Sequence, residues 1–248
     1  MISTRLLGCI LLILPLSFPG LVSAQIKGPF PKQAKGLMFS IDGSGGGSNL
    51  TTNIWHEIVR NKLPWVLERI NWSRFSSAPK DHNDMQGQLL AAGKLAAKAQ
   101  KFRAAEPDKQ IIIIAFSTGC HVALKGAAMM PPDSVERMIL FAPSVSSTYD
   151  LSGALRASKN GIDVYYSHED AQLNVAAGTC GTADGVYGPV SGQVGFWIQP
   201  NNPNLDIYKK RLRQHPWVTA VQWTGNVGDH SGWLERKFLR AYIVPGLR

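Results

Sequence analysis

Ile111-Ile112-Ile113-Ile114-Ala115-Phe116-Ser117-Thr118-Gly119-Cys120-His121-Val122-Ala123 runs four consecutive isoleucines into a corner of small residues. Beyond the corner, small and apolar residues continue to Met130 and stop at Pro131-Pro132. An unbroken apolar run of β-branched residues suits a parallel strand covered on both faces. The stretch from Thr118 to Met130 suits a helix closed by the prolines. A strand that turns straight into a helix forces the corner residue into a strained backbone conformation. Small residues two before and two after it, here Ala115 and Gly119, relieve the crowding. The Ser117 hydroxyl is then held clear of the sheet beside a helix N-terminus, where N–H groups can stabilise an oxyanion. Cys120 lies a turn into the helix and reads as a small buried residue rather than as a nucleophile.

The same alternation extends in both directions. Gly36 to Ile41 and Trp65 to Trp72 read as strands, and Met85 to Arg103 as an amphipathic helix. That helix places Leu89, Leu90, Ala92, Leu95, Ala96 and Phe102 inward and Lys94, Lys98 and Lys101 outward. Val135 to Phe141 and Ile162 to Tyr166 read as strands flanking a short helix at Leu151 to Ser158. Trp217 to Trp223 reads as the last strand and Ser231 to Tyr242 as the closing helix. Repeated strand–helix–strand units predict an α/β fold with a mostly parallel sheet and helices on both faces. Little sequence separates Ala142 from Ile162, so no large cap domain is expected there. With no repeat, low-complexity tract or linker, residues 25–248 read as one domain.

The chain has 248 residues, 44% of them hydrophobic and 17% charged, which excludes a disordered, coiled-coil or collagen-like protein. Residues 1–24 read as a signal peptide. Arg5 precedes an apolar run, Pro15 to Gly20 break it, and Val22-Ser23-Ala24 place small residues before Gln25. The run is shorter than the roughly 20 residues a membrane span needs. Export, to the outside or to a periplasm, with cleavage after Ala24 is therefore expected. Arg5 is the only charged residue of the leader, so most of the net charge of +9 stays with the rest. The basic spot Lys209-Lys210-Arg211-Leu212-Arg213 reads as a solvated helix face. No aromatic platform or reading motif accompanies it, so a nucleic-acid partner is not expected, while attraction to anionic surfaces stays open. Cys120 and Cys180 could pair in an oxidising compartment.

Gly43-Ser44-Gly45-Gly46-Gly47 follows the first strand. Ser48 or Leu50 stands where a dinucleotide-binding G-x-G-x-x-G needs its third glycine, and no P-loop Lys-Ser/Thr pair follows. The run instead offers unhindered backbone N–H groups that can turn toward a ligand oxygen.

With Ala115-x-Ser117-x-Gly119 between strand and helix, the chain resembles the α/β-hydrolase family of serine hydrolases, Ala115 standing where the family usually has glycine. The family order is serine, acid, histidine. The resemblance implies a base at His230, in the polar loop Gly225-Asn226-Val227-Gly228-Asp229-His230 between the last strand and the last helix. His121, on the elbow helix, and His215, before Pro216, fit that place less well. It implies an acid just past the Ile162–Tyr166 strand: Asp170 by spacing, with Glu169 the near competitor. Asp163, inside the strand, and Asp229, abutting His230, fit worse. It implies an oxyanion hole from the Thr118 N–H and one N–H of the glycine loop, Ser44 by position or Gly45 as the alternative. Asp42, where the family often has histidine, removes no backbone donor.

The implied activity is an exported serine hydrolase, esterase- or lipase-like, acting on a small-molecule or lipid-like carboxylic ester or thioester with no metal or organic cofactor. An acyltransferase would use the same residues, and a non-catalytic binding or scaffold protein would share only the fold. The segment from Ala171 to Gln199, rich in Gly, Asn and Thr with Tyr187, Phe196 and Trp197, is expected to run unstructured beside the cleft and to shape substrate choice. Trp55, Trp197 and Trp233 could line an acyl site or pack the core.

Overall fold

The computed structural model describes residues 30–248; the leader and its cleavage site lie outside them. Six strands, β1 (Gly36–Ile41), β2 (Trp65–Arg69), β3 (Gln110–Phe116), β4 (Arg137–Phe141), β5 (Ile162–Tyr166) and β6 (Leu212–Pro216), form one sheet ordered β2-β1-β3-β4-β5-β6. Every pairing is parallel. Between them run α1 (Asn49–Arg60), α2 (Ala78–His82), α3 (Met85–Ala105), α4 (Gly119–Ala128), α5 (Ser152–Ala157), α6 (Ala171–Cys180), α7 (Ser191–Val194) and α8 (Leu205–Arg211).

Strand alternation divides the apolar side chains between two layers. Leu37, Phe39 and Ile41 of β1, Ile111 and Ile113 of β3, and Met138 and Leu140 of β4 pack with α3, α4 and α5. Met38, Ile112, Ile114, Ile139 and Phe141 point the other way, against Leu50, Ile54 and Ile58 of α1 and the C-terminal Trp233, Phe238, Leu239 and Ile243. The isoleucine run is thus consumed on both faces of a central strand.

The edges and the chain end depart from the sequence reading. The last strand is Leu212–Pro216 rather than Trp217–Trp223, and Thr219–Thr224 is a 3₁₀ turn. Among the described residues β6 pairs with one neighbour only, and Leu212 is its one side chain that packs against the core. Arg213 and His215 meet the buried carboxylate of Asp163 on β5, so no hydrophobic alternation marks it. The basic spot is correspondingly divided: Lys209 and Lys210 are exposed, while Arg211 donates to the carbonyls of Leu155, Arg156 and Ser158. The closing helix is a succession of short 3₁₀, α and π turns from Gly232 to Leu247.

β2 ends at Arg69, although Ile70 and Trp72 remain buried. On α3 half of the buried residues are alanine, and Leu89 and Leu90 are exposed rather than packed. The segment after Asp170 is not structureless, since it contains α6 and α7. Cys120 and Cys180 are free thiols. Cys120 is sealed in the core beneath α4, where burial pushes its thiol well up from its ordinary value.

Candidate active site

The sheet order reverses between β1 and β3, so the segments leaving their C-terminal ends part in opposite directions and leave a crevice. Ile41 is in register with Ala115. The glycine loop after β1 and the corner after β3 therefore emerge side by side, and a Cβ on Gly43 would stand 3.2 Å from the Ser117 Cβ.

At the corner Ser117 has φ +53°, the left-handed region that non-glycine residues seldom occupy. Such a residue costs about 1–3 kcal/mol and persists where its surroundings hold it. Here the Ser117 N–H donates to the Phe141 carbonyl at 3.0 Å and its carbonyl accepts from Cys120 at 3.0 Å. Gly119 shows why the residue after next must be small, because a Cβ there would lie 2.4 Å from the Asp42 carbonyl oxygen. Ala115, fully buried, fits without disturbing β3.

The side chains that meet at this corner come from three distant parts of the chain. Ser117 Oγ lies 2.9 Å from His230 Nε2, and His230 Nδ1 lies 2.7 Å from Asp170 Oδ2. Asp170 is fully buried, and Ser117 and His230 retain only a small exposed surface. Asp170 also caps α6, its Oδ1 accepting the Leu173 N–H at 2.9 Å. A carboxylate that only accepts sets the imidazole tautomer, with the proton on Nδ1 and the Nε2 lone pair facing Ser117. The Phe116 ring, 4.7 Å from the His230 ring, covers the imidazole. The histidine loop is shaped by Asn226, whose Oδ1 accepts the Gly228 N–H and whose carbonyl accepts from Trp217 Nε1.

The competing residues go elsewhere. Glu169 and His168 are exposed. Asp163 is tied to Arg137, Arg213 and His215. His121 is enclosed, donates from Nδ1 to Gln88 Oε1, and is held neutral by burial, which lowers its pKa to about 4. Trp233 is core, whereas Trp55 and Trp197 are partly exposed.

Around the anticipated oxyanion position, the Gly45 N–H is engaged by Asp81 Oδ2 at 3.0 Å. The N–H groups of Ser44 and Thr118 make no hydrogen bond among the described residues. Asp42 anchors the loop from behind, accepting the Thr51 hydroxyl at 2.5 Å and Arg69 Nε at 3.1 Å. Burial raises the Asp42 pKa despite those donors. A further histidine, His82, stands at the site unheralded by the serine–acid–histidine order because it precedes the serine. Its only sequence signal is a histidine following an aspartate in a polar stretch. Among the described residues no cluster of His, Cys, Asp and Glu is arranged to hold a metal.

No family model and no curated protein matches this chain. Solved structures do. The chain is similar to esterase PE8, with TM-score 0.53 and 14% identity over 87% of this chain and 94% of that one. It is similar to an uncharacterized protein from Bacillus cereus ATCC 10987, with TM-score 0.51 and 14% identity over 89% and 62%. A lipase-esterase related protein from Clostridium acetobutylicum ATCC 824 matches with TM-score 0.50 and 9% identity over 88% and 96%. What is common at such low identity is the order of strands and helices rather than the sequence, and by that measure the chain adopts the α/β-hydrolase fold.

Proposed function

We propose that this protein is an exported serine hydrolase that cleaves a carboxylic ester or thioester through an acyl-enzyme. The observation that carries the reading is the unbroken chain Asp170–His230–Ser117, with contacts of 2.7 and 2.9 Å, ending on a serine at a positive-φ corner. Neighbours named as esterases lend it support through the fold alone.

Ser117 Oγ attacks the substrate carbonyl as His230 Nε2 takes its proton. Asp170 stabilises the imidazolium through Nδ1–H. The carbonyl oxygen, now an oxyanion, lies against the N–H groups of Thr118 and Ser44, each donor of this kind being worth about 2.7–4 kcal/mol in the transition state. His230 then protonates the leaving alcohol or thiol as its bond to the carbonyl carbon breaks. Water, deprotonated by the same imidazole, resolves the acyl-enzyme and restores Ser117.

Residues 1–24 are the proposed export signal, and residues 25–248 the single domain that remains; the N-terminus of protein recovered outside the cytoplasm should be Gln25. The activity is tested with short-chain p-nitrophenyl esters and fluorophosphonate labelling. Wild-type protein should turn over the esters and label at Ser117. Ser117→Ala should lose labelling and about 10⁵–10⁶-fold in kcat. A folded wild-type protein that does neither would overturn the reading.

A further inference from the structure

Asp81 and His82, consecutive residues at the end of α2, each hold one of the two loops that carry the proposed oxyanion donors. Asp81 is fully buried. Its Oδ2 accepts the Gly45 N–H at 3.0 Å and the Ser73 hydroxyl at 2.5 Å, and its Oδ1 accepts the N–H groups of Arg74 and Phe75, both at 3.0 Å. Burial opposes ionisation there, yet these donors outweigh it and keep the carboxyl below its ordinary range. The Gly45 N–H is thereby fixed one residue from Ser44.

His82 is buried between two partners. Its Nε2 lies 2.9 Å from the Gly181 carbonyl oxygen and its Nδ1 lies 3.0 Å from Thr118 Oγ1. A carbonyl only accepts, so Nε2 carries the proton, and in the neutral ring the Nδ1 lone pair accepts from the Thr118 hydroxyl. Thr118 Oγ1 in turn lies 3.1 Å from Ser144 Oγ, whose hydroxyl is free to donate to it. Thr118 carries one of the two proposed oxyanion donors, and this chain of directed hydrogen bonds pins its side chain. Gln88 locks the pair from below, its Nε2 donating to the carbonyls of Asp81 at 3.2 Å and His82 at 2.8 Å.

We propose that Asp81 and His82 are positioning residues that set the spacing between the Ser44 and Thr118 N–H groups, Asp81 through the glycine loop and His82 through the Thr118 hydroxyl. The proposal rests on the serine-hydrolase reading. Two donors aimed at one developing oxyanion must be held at a defined separation, and a misplacement of about 1 Å can cost 10²-fold in rate. The two donors lie on loops after different strands, with no main-chain bond to each other, and a two-residue unit that grips both supplies the missing link. The grip also reaches Gly181, in the segment that begins with Asp170, so Asp81 and His82 together hold three loops around the crevice: the glycine loop through Asp81, and the Thr118 corner and Gly181 through His82.

The test compares kcat and KM for a p-nitrophenyl ester with inhibition by a trifluoromethyl ketone, whose adduct with Ser117 places an oxyanion between the two donors. Thr118→Val keeps shape and backbone N–H but removes the hydroxyl. It should lower kcat about tenfold and weaken the ketone in parallel, with KM within about twofold. Thr118→Ser, which keeps the hydroxyl, should recover most of that loss. His82→Phe should cost a similar factor alone and add little to Thr118→Val, because both remove the same Thr118–His82 hydrogen bond. Asp81→Asn should reduce kcat and ketone affinity together; should it fail to fold, the Thr118 pair still decides. An active, labelled wild type whose folded Thr118→Val and His82→Phe variants match it in kcat and ketone affinity would overturn this proposal alone. A folded wild type with neither turnover nor labelling would overturn the hydrolase reading beneath it.

Discussion

Asp170 meets His230 across 2.7 Å while the same carboxylate caps the helix that follows it, so one buried side chain starts α6 and orients the imidazole. An asparagine can still accept the Leu173 N–H but offers the imidazole an oxygen or a donor without charge. Asp170→Asn should therefore leave the melting temperature nearly unchanged and lower kcat by about 10⁴-fold. Glu169, exposed and with no hydrogen bond to His230, is the control: Glu169→Gln should stay within about twofold of wild type. Steady-state kinetics with circular dichroism separates the two, and an inactive Glu169→Gln beside an active Asp170→Asn would reverse the assignment of the acid.

The corner tolerates alanine at one of its small positions but not at the other. Ala115 already occupies the first, whereas a Cβ at Gly119 would come within 2.6 Å of the Ile41 carbonyl oxygen as well as meeting that of Asp42. Backbone cannot yield as a flexible side chain does. Gly119→Ala should destabilise the protein by about 3 kcal/mol, measured by urea denaturation, and should lose activity because β1 and the corner are pushed apart.

Asp163 sits buried between β4 and β6, ion-paired with Arg137 at 2.6 Å and Arg213 at 2.8 Å and within hydrogen-bond distance, 2.9 Å, of His215 Nε2. Burial alone would raise its pKa, but these three partners hold the carboxyl well below its ordinary value. A depressed carboxylate stabilises the fold in full above its unfolded pKa near 4 and loses that contribution as pH falls toward the folded value. Asp163→Asn should cost about 3 kcal/mol at pH 7. The gap to wild type should hold down to about pH 5 and close progressively below pH 4. Thermal melts of both proteins across that range check the sign.

The two thiols of the described residues should differ in reactivity rather than pair. Cys120 is enclosed and its thiol pKa raised by burial, whereas Cys180 is partly exposed at the end of α6. Alkylation of native protein followed by peptide mapping should modify Cys180 and spare Cys120 until denaturant is added. A Cys120–Cys180 linkage in unreduced protein would contradict this placement.

Much of the architecture is local enough to read along the chain. Four isoleucines followed by Ala-Phe-Ser-Thr-Gly require a two-faced central strand and a tight corner, because no other arrangement buries that run and relieves that crowding. Ile162–Tyr166 and Gly36–Ile41 are visible for the same reason. Through the family order of serine, acid and histidine, the resemblance points to Ser117, His230 and Asp170 or Glu169, and the structure brings Ser117, His230 and Asp170 into one hydrogen-bonded chain. The edge strand β6 is different: Arg213 and His215 satisfy Asp163 across a strand pair, so their polarity conceals the strand until β5 is beside it. Trp217–Trp223 imitated a strand through its apolar and β-branched residues, yet Val218 and Trp223 are exposed and only Val221 is buried.

The same distinction governs the site. Local sequence determined which residue stands at the corner and that its flanks must be small, since those are constraints within a few residues of backbone. Which glycine-loop N–H stays available is a tertiary matter, settled when Asp81 from a separate helix takes the Gly45 N–H. His82 likewise has no meaning along the chain: Thr118 is 36 residues away and Gly181 is 99. Hydrogen bonds between groups so far apart carry no periodicity or local propensity, and only the packing of strands and loops at the sheet's C-terminal edge brings them within reach.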